Sequence, residues 1–300
     1  MSDLRQRNAS LIFAGICFGT TGTAQALGPK GLSPLAVGSG RLIVGALLLY
    51  LFHKSAAKSA AKIVGKELWL SSIAVVLYQI TFFSAVKSTG VAIGTVTALG
   101  SAPALTGVVA YLINREKPTR RWFIATAITT LGIIMLSTSK GLADFNFRGF
   151  LLAIGAGASY SVFAVLSKRA LAQGVSITDA MFRIFSLGAI ISSPLLFIGD
   201  SHPLLTSRGF LMVLWLGLVP TAVAYIAYAY GLAKVHASTA STLILAEPAT
   251  ATLLAAIVLG EAINPRGWSG IVIVIIGLIY LSAGQTTGNE ESKWSRKSRS

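Results

Sequence analysis

Residues 92–137, AIGTVTALGSAPALTGVVAYLINREKPTRRWFIATAITTLGIIMLS, lie over residues 237–282, ASTASTLILAEPATATLLAAIVLGEAINPRGWSGIVIVIIGLIYLS, without a gap and at a constant offset of 145. Twelve of the 46 pairs are identical, among them Thr97/Thr242, Pro103/Pro248, Glu116/Glu261, Arg121/Arg266 and Gly132/Gly277. Apolar segments match one another by chance through Ala, Ile and Leu. Matched Pro, Glu, Arg and Gly, in one order and at one offset, do not arise that way. The chain is a tandem duplication of an apolar unit, an organisation found in membrane carriers.

Composition agrees. With 54% hydrophobic and 12% charged residues and a mean hydropathy of +0.72, the chain is far from the roughly one-quarter charged content of soluble domains. Thirty glycines suit helices that approach closely in lipid. The net charge of +15 sits in short connectors and the tail, with no basic domain, so nucleic acid is not an expected partner. Cys17 is the single cysteine, which excludes an intrachain disulfide and a cysteine-based metal site. Arg5, Arg7, the apolar stretch from Leu11 and Ala24-Gln25-Ala26 imitate a cleavable signal peptide. The reading adopted is a first transmembrane helix that stays, since cleavage would remove the opening helix of the first repeat.

A helix crossing the ~30 Å apolar core of a bilayer needs about 20 mainly apolar residues. Ten stretches fit: 9–27, 35–53, 68–86, 91–113, 121–138, 148–167, 178–198, 209–231, 237–259 and 267–284. None shows the sustained period-two alternation of a β-barrel. The expected fold is an all-α polytopic membrane protein of ten transmembrane helices, arranged as two inverted five-helix repeats. The repeats run from 9 to 138 and from 148 to 284, with a disordered cytoplasmic tail over 285–300.

Lys and Arg bias sets orientation. With the N-terminus inside, inner segments carry 17 bases and outer segments six, while Arg41 and Arg183 fall within helices. Both termini are therefore expected on the cytoplasmic side. Five helices per copy is an odd number, so the second copy enters the membrane upside down. The matched connectors agree: Arg115–Arg121 carries four bases, and its counterpart Gly260–Arg266 carries one. An inverted repeat puts a pseudo-two-fold axis in the membrane plane and a substrate site near the midplane.

Two such units resemble the drug/metabolite transporter superfamily, specifically paired EamA-type domains. The second copy carries Ala233-Lys234, Ala237, Glu247-Pro248, Gly260-Glu261, Trp268 and Gly277. The first carries Lys87, Ala92, Pro103, Glu116, Trp122 and Gly132, with Ala102 where the second copy has Glu247. Arg41 and Arg183 also fall where such domains often place an arginine. The resemblance covers residues 9 to 284, and within the superfamily the chain is most similar to bacterial aromatic amino acid exporters. It implies a bacterial inner-membrane carrier of amino acids, aromatic ones included, and related amphipathic compounds.

No enzyme constellation is present. There is no G-x-x-x-x-G-K-[ST] phosphate loop, and His53, His202 and His236 are isolated, so neither a metal nor another cofactor is expected. Glu247 places a carboxylate deep in an apolar run. Charges there default to functional hypotheses, and Glu247 reads either as a coupling or amine-binding group or as support for the helix break at Pro248. Arg41 and Arg183 read as substrate contacts or as side chains snorkelling from helix ends. Candidate cavity residues are Thr20, Tyr78, Gln79 and Phe82, then Thr97 and Ser101, then Tyr160, Phe163, Tyr225, Tyr228 and Thr242. Small hydroxyl stripes such as Gly94-Thr97-Ser101 either pack helices or line a cavity. Lys54, Lys58, Lys62 and Lys66 recur every four residues in an Ala-rich connector, which reads either as a surface helix on anionic lipid or as the positive charge of a cytoplasmic loop alone.

These residues point to a secondary transporter working by alternating access on a small-molecule substrate within the lipid bilayer. The alternatives are a carrier of phosphorylated or sugar-linked metabolites, and a channel or lipid-handling protein. The former wants several convergent bases; only Arg41 and Arg183 are available. Saturable counterflow separates carrier from channel. The topology has its own check: a reporter fused after Lys58 is expected to read cytoplasmic and one after Ala262 external. Finding both matched loops on one side would overturn the inversion.

Overall fold

A computed structural model describes residues 2–55, 61–138, 146–260 and 262–297. Among these there is no β-strand, only an isolated bridge between Ala61 and Val175. The chain forms α1 (Ser2–Leu27), α2 (Pro34–Ser55), α3 (Gly65–Asn114), α4 (Arg120–Thr138), α5 (Phe147–Ala172) and α6 (Ile177–Ser192). It continues through α7 (Ser207–Gly217), α8 (Ala224–Leu232), α9 (Ala237–Leu243), α10 (Ala246–Leu259) and α11 (Pro265–Lys297). A wide π turn over Leu218–Val223 joins α7 to α8, so these form one span, as α9 and α10 do.

Although α3 is helical throughout, its chain doubles back. Gly155 of α5 faces Thr81, while Gly157 faces Ala98 and Ser101. A straight helix from residue 81 to 98 would be about 25 Å long, far more than the separation of Gly155 and Gly157. The element therefore holds two antiparallel limbs, matching the expected third and fourth spans. Nine described stretches are long and apolar enough to cross a membrane. The remaining expected span is α4, which opens with Arg120 and Arg121 and packs along α11.

The periphery is apolar: Phe13, Leu47, Trp69, Phe123, Ile257 and Ile279 all lie exposed. Such a surface fits lipid and would aggregate in water. Inside, small residues let helices touch, and their contacts reveal the symmetry. A Cβ at Gly132 would sit 2.8 Å from the backbone N of Val274, and one at Gly277 would sit 3.2 Å from that of Thr129. These four positions are two pairs at the offset of 145, so each copy contacts the other through the same residues. Gly15 packs on Ala246 and Glu247, and Gly157 packs on their counterparts Ser101 and Ala102. Gly45 packs on Gly217 and Thr221, and Gly188 on Ser72 and Val76. Reciprocal contacts of this kind are the mark of a two-fold relation. With five spans per copy, that axis lies in the plane of the membrane.

Beyond the last expected span α11 continues helical over 285–297, to Lys297. The stretch lacks proline and has one glycine, Gly288, so nothing in it stops a helix. The lysine-rich connector is not a helix over 61–64; Lys58 lies outside the described residues.

The close approach of α4 and α11 gives a packing prediction. Gly132→Val drives a side chain into the backbone of α11, and overpacking typically costs about 1–3 kcal/mol. Gly22→Val is the control, since a Cβ there meets nothing within 4 Å. Melting in detergent is expected to fall by several degrees for the first and to be little changed for the second.

Candidate functional site

α1, α2, both limbs of α3, α5, α8, α9 and α10 converge on a cavity of about 60 Å³. Phe18, Tyr78, Phe82, Phe83, Tyr160 and Tyr225 give it ring walls; Thr21, Arg41, Gln79, Ser241 and Glu247 give it polar groups. Several lining residues are symmetry mates. Leu99 and Ile244, and Ala102 and Glu247, are related by the offset of 145, and Phe18 and Tyr160 by that of Gly15 and Gly157. The cavity therefore lies on the pseudo-two-fold axis. Its charges do not obey the symmetry: the first copy supplies Arg41 and the second supplies Glu247.

Arg41 is buried on α2 and held by the π turn. Pro220 has no N–H to give to Leu216 O, and the Thr221 hydroxyl donates to that carbonyl instead, at 2.7 Å. Because the turn is wide, the N–H of Ala224 bonds Val219 O and Thr221 O rather than Pro220 O. The released Pro220 carbonyl accepts from Arg41 Nη2 at 3.0 Å, and Thr221 Oγ1 accepts from Arg41 Nε at 2.9 Å. π turns cluster at functional sites, and this one anchors a guanidinium while leaving part of its donor fork toward the cavity.

Glu247 owes its position to a second break. Pro248 cannot donate, and its ring would collide with the carbonyl four residues back. The helix stops at Leu243, turns through Ile244 and Leu245 and resumes at Ala246, with Glu247 N donating to Ile244 O at 2.9 Å. The carboxylate thus enters the cavity from the first turn of α10. Arg41 and Glu247 share the cavity without a direct ion pair. Gln79 adds a buried Oε1 with no hydrogen-bond partner.

Of the residues singled out in the sequence, Tyr78, Gln79, Phe82, Tyr160, Tyr225, Arg41 and Glu247 line this cavity. Tyr78 stacks on Phe82 with ring centres 5.5 Å apart. The others do not line it, for identifiable reasons. Phe163 and Tyr228 are fully buried behind the wall, packed with Phe185 and Tyr225, although Tyr228 reaches the hydroxyl of Tyr160 at 3.2 Å. Thr20 donates to Cys17 O and receives Trp215 Nε1. Ser101 donates to Ala98 O and packs against Gly157, and Thr242 bonds Thr126 across α9 and α4 at 2.9 Å. Thr97 is half-buried on the second limb of α3, away from the lining. The hydroxyls of Thr20, Ser101 and Thr242 are thus engaged within and between helices.

Arg183 belongs elsewhere too. Its Nε donates to both carboxylate oxygens of Asp179, at 2.8 and 3.0 Å. His53 Nδ1 lies 3.9 Å from the same carboxylate. Asp179, buried in the first turn of α6, had drawn no notice in the sequence, although a carboxylate one turn before an arginine is a readable pairing signal. Phe18, Phe83 and Ser241 were also missed as lining residues. The tryptophan near the start of each copy's last span has a different role: Trp122 is buried and donates to Ser238 O at 2.9 Å, whereas Trp268 faces outward.

The model of the EamA-like transporter family matches this chain twice, over residues 8–138 and 147–283. The chain belongs to the EamA-like transporter family. It is 37% identical to the uncharacterized transporter YwfM of Bacillus subtilis, over 91% of this chain and 92% of that protein. It is 27% identical to the threonine/homoserine exporter RhtA of Escherichia coli, over 88% of this chain and 87% of that one. A solved crystal structure, 18% identical, superposes with a TM-score of 0.79 over 91% of this chain and 95% of that chain, and shares its fold. This EamA-like chain is a multi-pass membrane transporter.

The arginine anchor is testable. Thr221→Val leaves Leu216 O and Arg41 Nε–H without partners, a loss of about 1–3 kcal/mol per buried group. Thermal stability in detergent is expected to drop for Thr221→Val and to be retained in Thr221→Ser, which keeps the hydroxyl.

Proposed function

We propose that the chain exports zwitterionic amino acids, aromatic ones included, by alternating access of its two halves, with both termini in the cytoplasm. The observation that carries this reading is the cavity's chemistry. One guanidinium and one carboxylate, not paired with each other, face a ring-walled space on the symmetry axis. An α-carboxylate matches the free donors of Arg41. An α-ammonium matches Glu247 and the unsatisfied oxygen of Gln79, and the rings of Phe18, Tyr78 and Phe82 receive a side chain. A single arginine is a poor match for a phosphorylated substrate. The name of the threonine/homoserine exporter among its relatives supports the amino acid class.

A cavity of about 60 Å³ has room for about two waters and none for an amino acid. Entry therefore requires the halves to part, as alternating access demands.

Counterflow of labelled amino acids in proteoliposomes tests the assignment. Arg41→Gln and Glu247→Gln are each expected to lower counterflow at least ~30-fold, the scale of removing one partner of a buried charge contact. If Glu247→Gln keeps counterflow and loses only stimulation by a pH gradient, the residue carries a proton rather than the ammonium. Tyr78→Ala and Phe82→Ala are expected to weaken transport of phenylalanine-like substrates more than of small polar ones. Equal loss for all would mark packing damage.

A further inference from the structure

A second, larger hollow opens on the outside of the bundle. It is a groove of about 520 Å³ between α1, α10 and α11, floored by Ile12, Ile16, Ala249, Leu253 and Ile279. That volume lies within the ~300–1,000 Å³ of small-molecule sites. Arg5 closes one end, beside Ser282 and Ala283. Arg5 is the uncommitted base of the first helix, because Arg7 takes Asp3 at 3.1 Å, the carbonyl of Tyr230 and the Tyr230 ring. At the same end Asn8, 1% exposed, donates to Ser282 Oγ at 3.1 Å and keeps its Oδ1 without a partner.

The dimensions identify the occupant. Arg5 and Ile16 lie eleven residues apart on one helix, about 16 Å along its axis. That is half of the ~30 Å apolar thickness of a bilayer. The groove therefore runs from headgroup level to the midplane, with a cation at the headgroup end and aliphatic walls below. We propose that it binds one anionic phospholipid of the leaflet on the N-terminal side, its phosphate on Arg5 and one acyl chain along Ile12, Ile16 and Ile279. Cationic pockets between transmembrane helices are suited to such headgroups. The acyl chain ends against Ala246 and Ala249, on the turn whose neighbouring residue, Glu247, enters the transport cavity. The lipid thus braces the helix break from its outer face.

The test is native mass spectrometry of the full chain, purified in mild detergent and supplied with phosphatidylglycerol or phosphatidylcholine. The wild type is expected to retain one phosphatidylglycerol in preference to phosphatidylcholine. Arg5→Gln is expected to reduce that retention at least fivefold, and Ala249→Phe, which fills the groove, to abolish it. Arg120→Gln, a base outside the groove, is expected to leave it unchanged. Equal retention of both lipids, or equal loss in Arg5→Gln and Arg120→Gln, would overturn the site. A dimer that excludes lipid from the groove would assign the face to a second copy and overturn it equally. Binding is read without transport, so the result stands apart from the choice of substrate.

Discussion

Inside a bilayer no water is available to a backbone group that loses its helical partner, and this constraint governs where the protein can be irregular. The two interruptions nearest the cavity are set by prolines, and each is compensated locally. At Pro220 the orphaned carbonyl of Leu216 takes the Thr221 hydroxyl, and the displaced carbonyl of Pro220 takes Arg41. At Pro248 the chain tightens into a turn closed by Glu247 N on Ile244 O. Each repair delivers a charged side chain to one small volume. A buried guanidinium needs acceptors that an intact helix does not offer, so the π turn and Arg41 stabilise one another.

The duplication explains why the charges converge. A two-fold axis brings equivalent residues of both copies face to face, as Leu99 with Ile244 and Ala102 with Glu247 line one cavity. Symmetry alone would yield two like charges or none. A pair of carboxylates would repel, and a pair of alanines would bind nothing polar. Divergence at positions 102 and 247 leaves one carboxylate, and Arg41 has no basic counterpart near the axis. A symmetric frame thereby carries a polar site with two unlike ends, which is what a zwitterion requires.

Much of the frame is legible in the sequence, because the constraints that set it are periodic or compositional. Apolar length locates the spans, and the fixed offset of 145 locates the repeats. The two limbs of α3 are legible as separate spans, but their unbroken helical connection is not, since Ser88, Thr89, Gly90 and Gly94 weaken a helix without forbidding one. The site is only partly legible. Arg41 and Glu247 stand out as charges in apolar runs, but whether a hydroxyl lines a cavity or packs a helix depends on rotation about the helix axis. An all-apolar helix gives no amphipathic pattern from which to read that rotation. Thr97, Ser101 and Thr242 lie outside the lining for this reason, and Phe18 and Phe83 lie in it unannounced for the same one. Arg183 is a different case: its partner Asp179 lies one turn earlier at the start of α6, where a carboxylate reads as a border residue.

The mirrored contacts are equivalent in topology and unequal in distance. Gly45 and Gly188 are counterparts, yet a Cβ at Gly45 would meet Thr221 Cβ at 3.0 Å, whereas one at Gly188 would first meet Ser72 O at 3.7 Å. The α2 face is thus pressed more tightly on the seventh-to-eighth-helix span than α6 is on the first limb of α3. The alternating access proposed above corresponds to a second arrangement in which the tight and loose faces are exchanged. Both faces set a glycine against a neighbouring helix, so such an exchange would swap contacts of one kind. An inverted repeat turns that exchange into a reversal of sidedness, so the same asymmetry that distinguishes the two halves here is what a carrier needs to present one cavity alternately to either side.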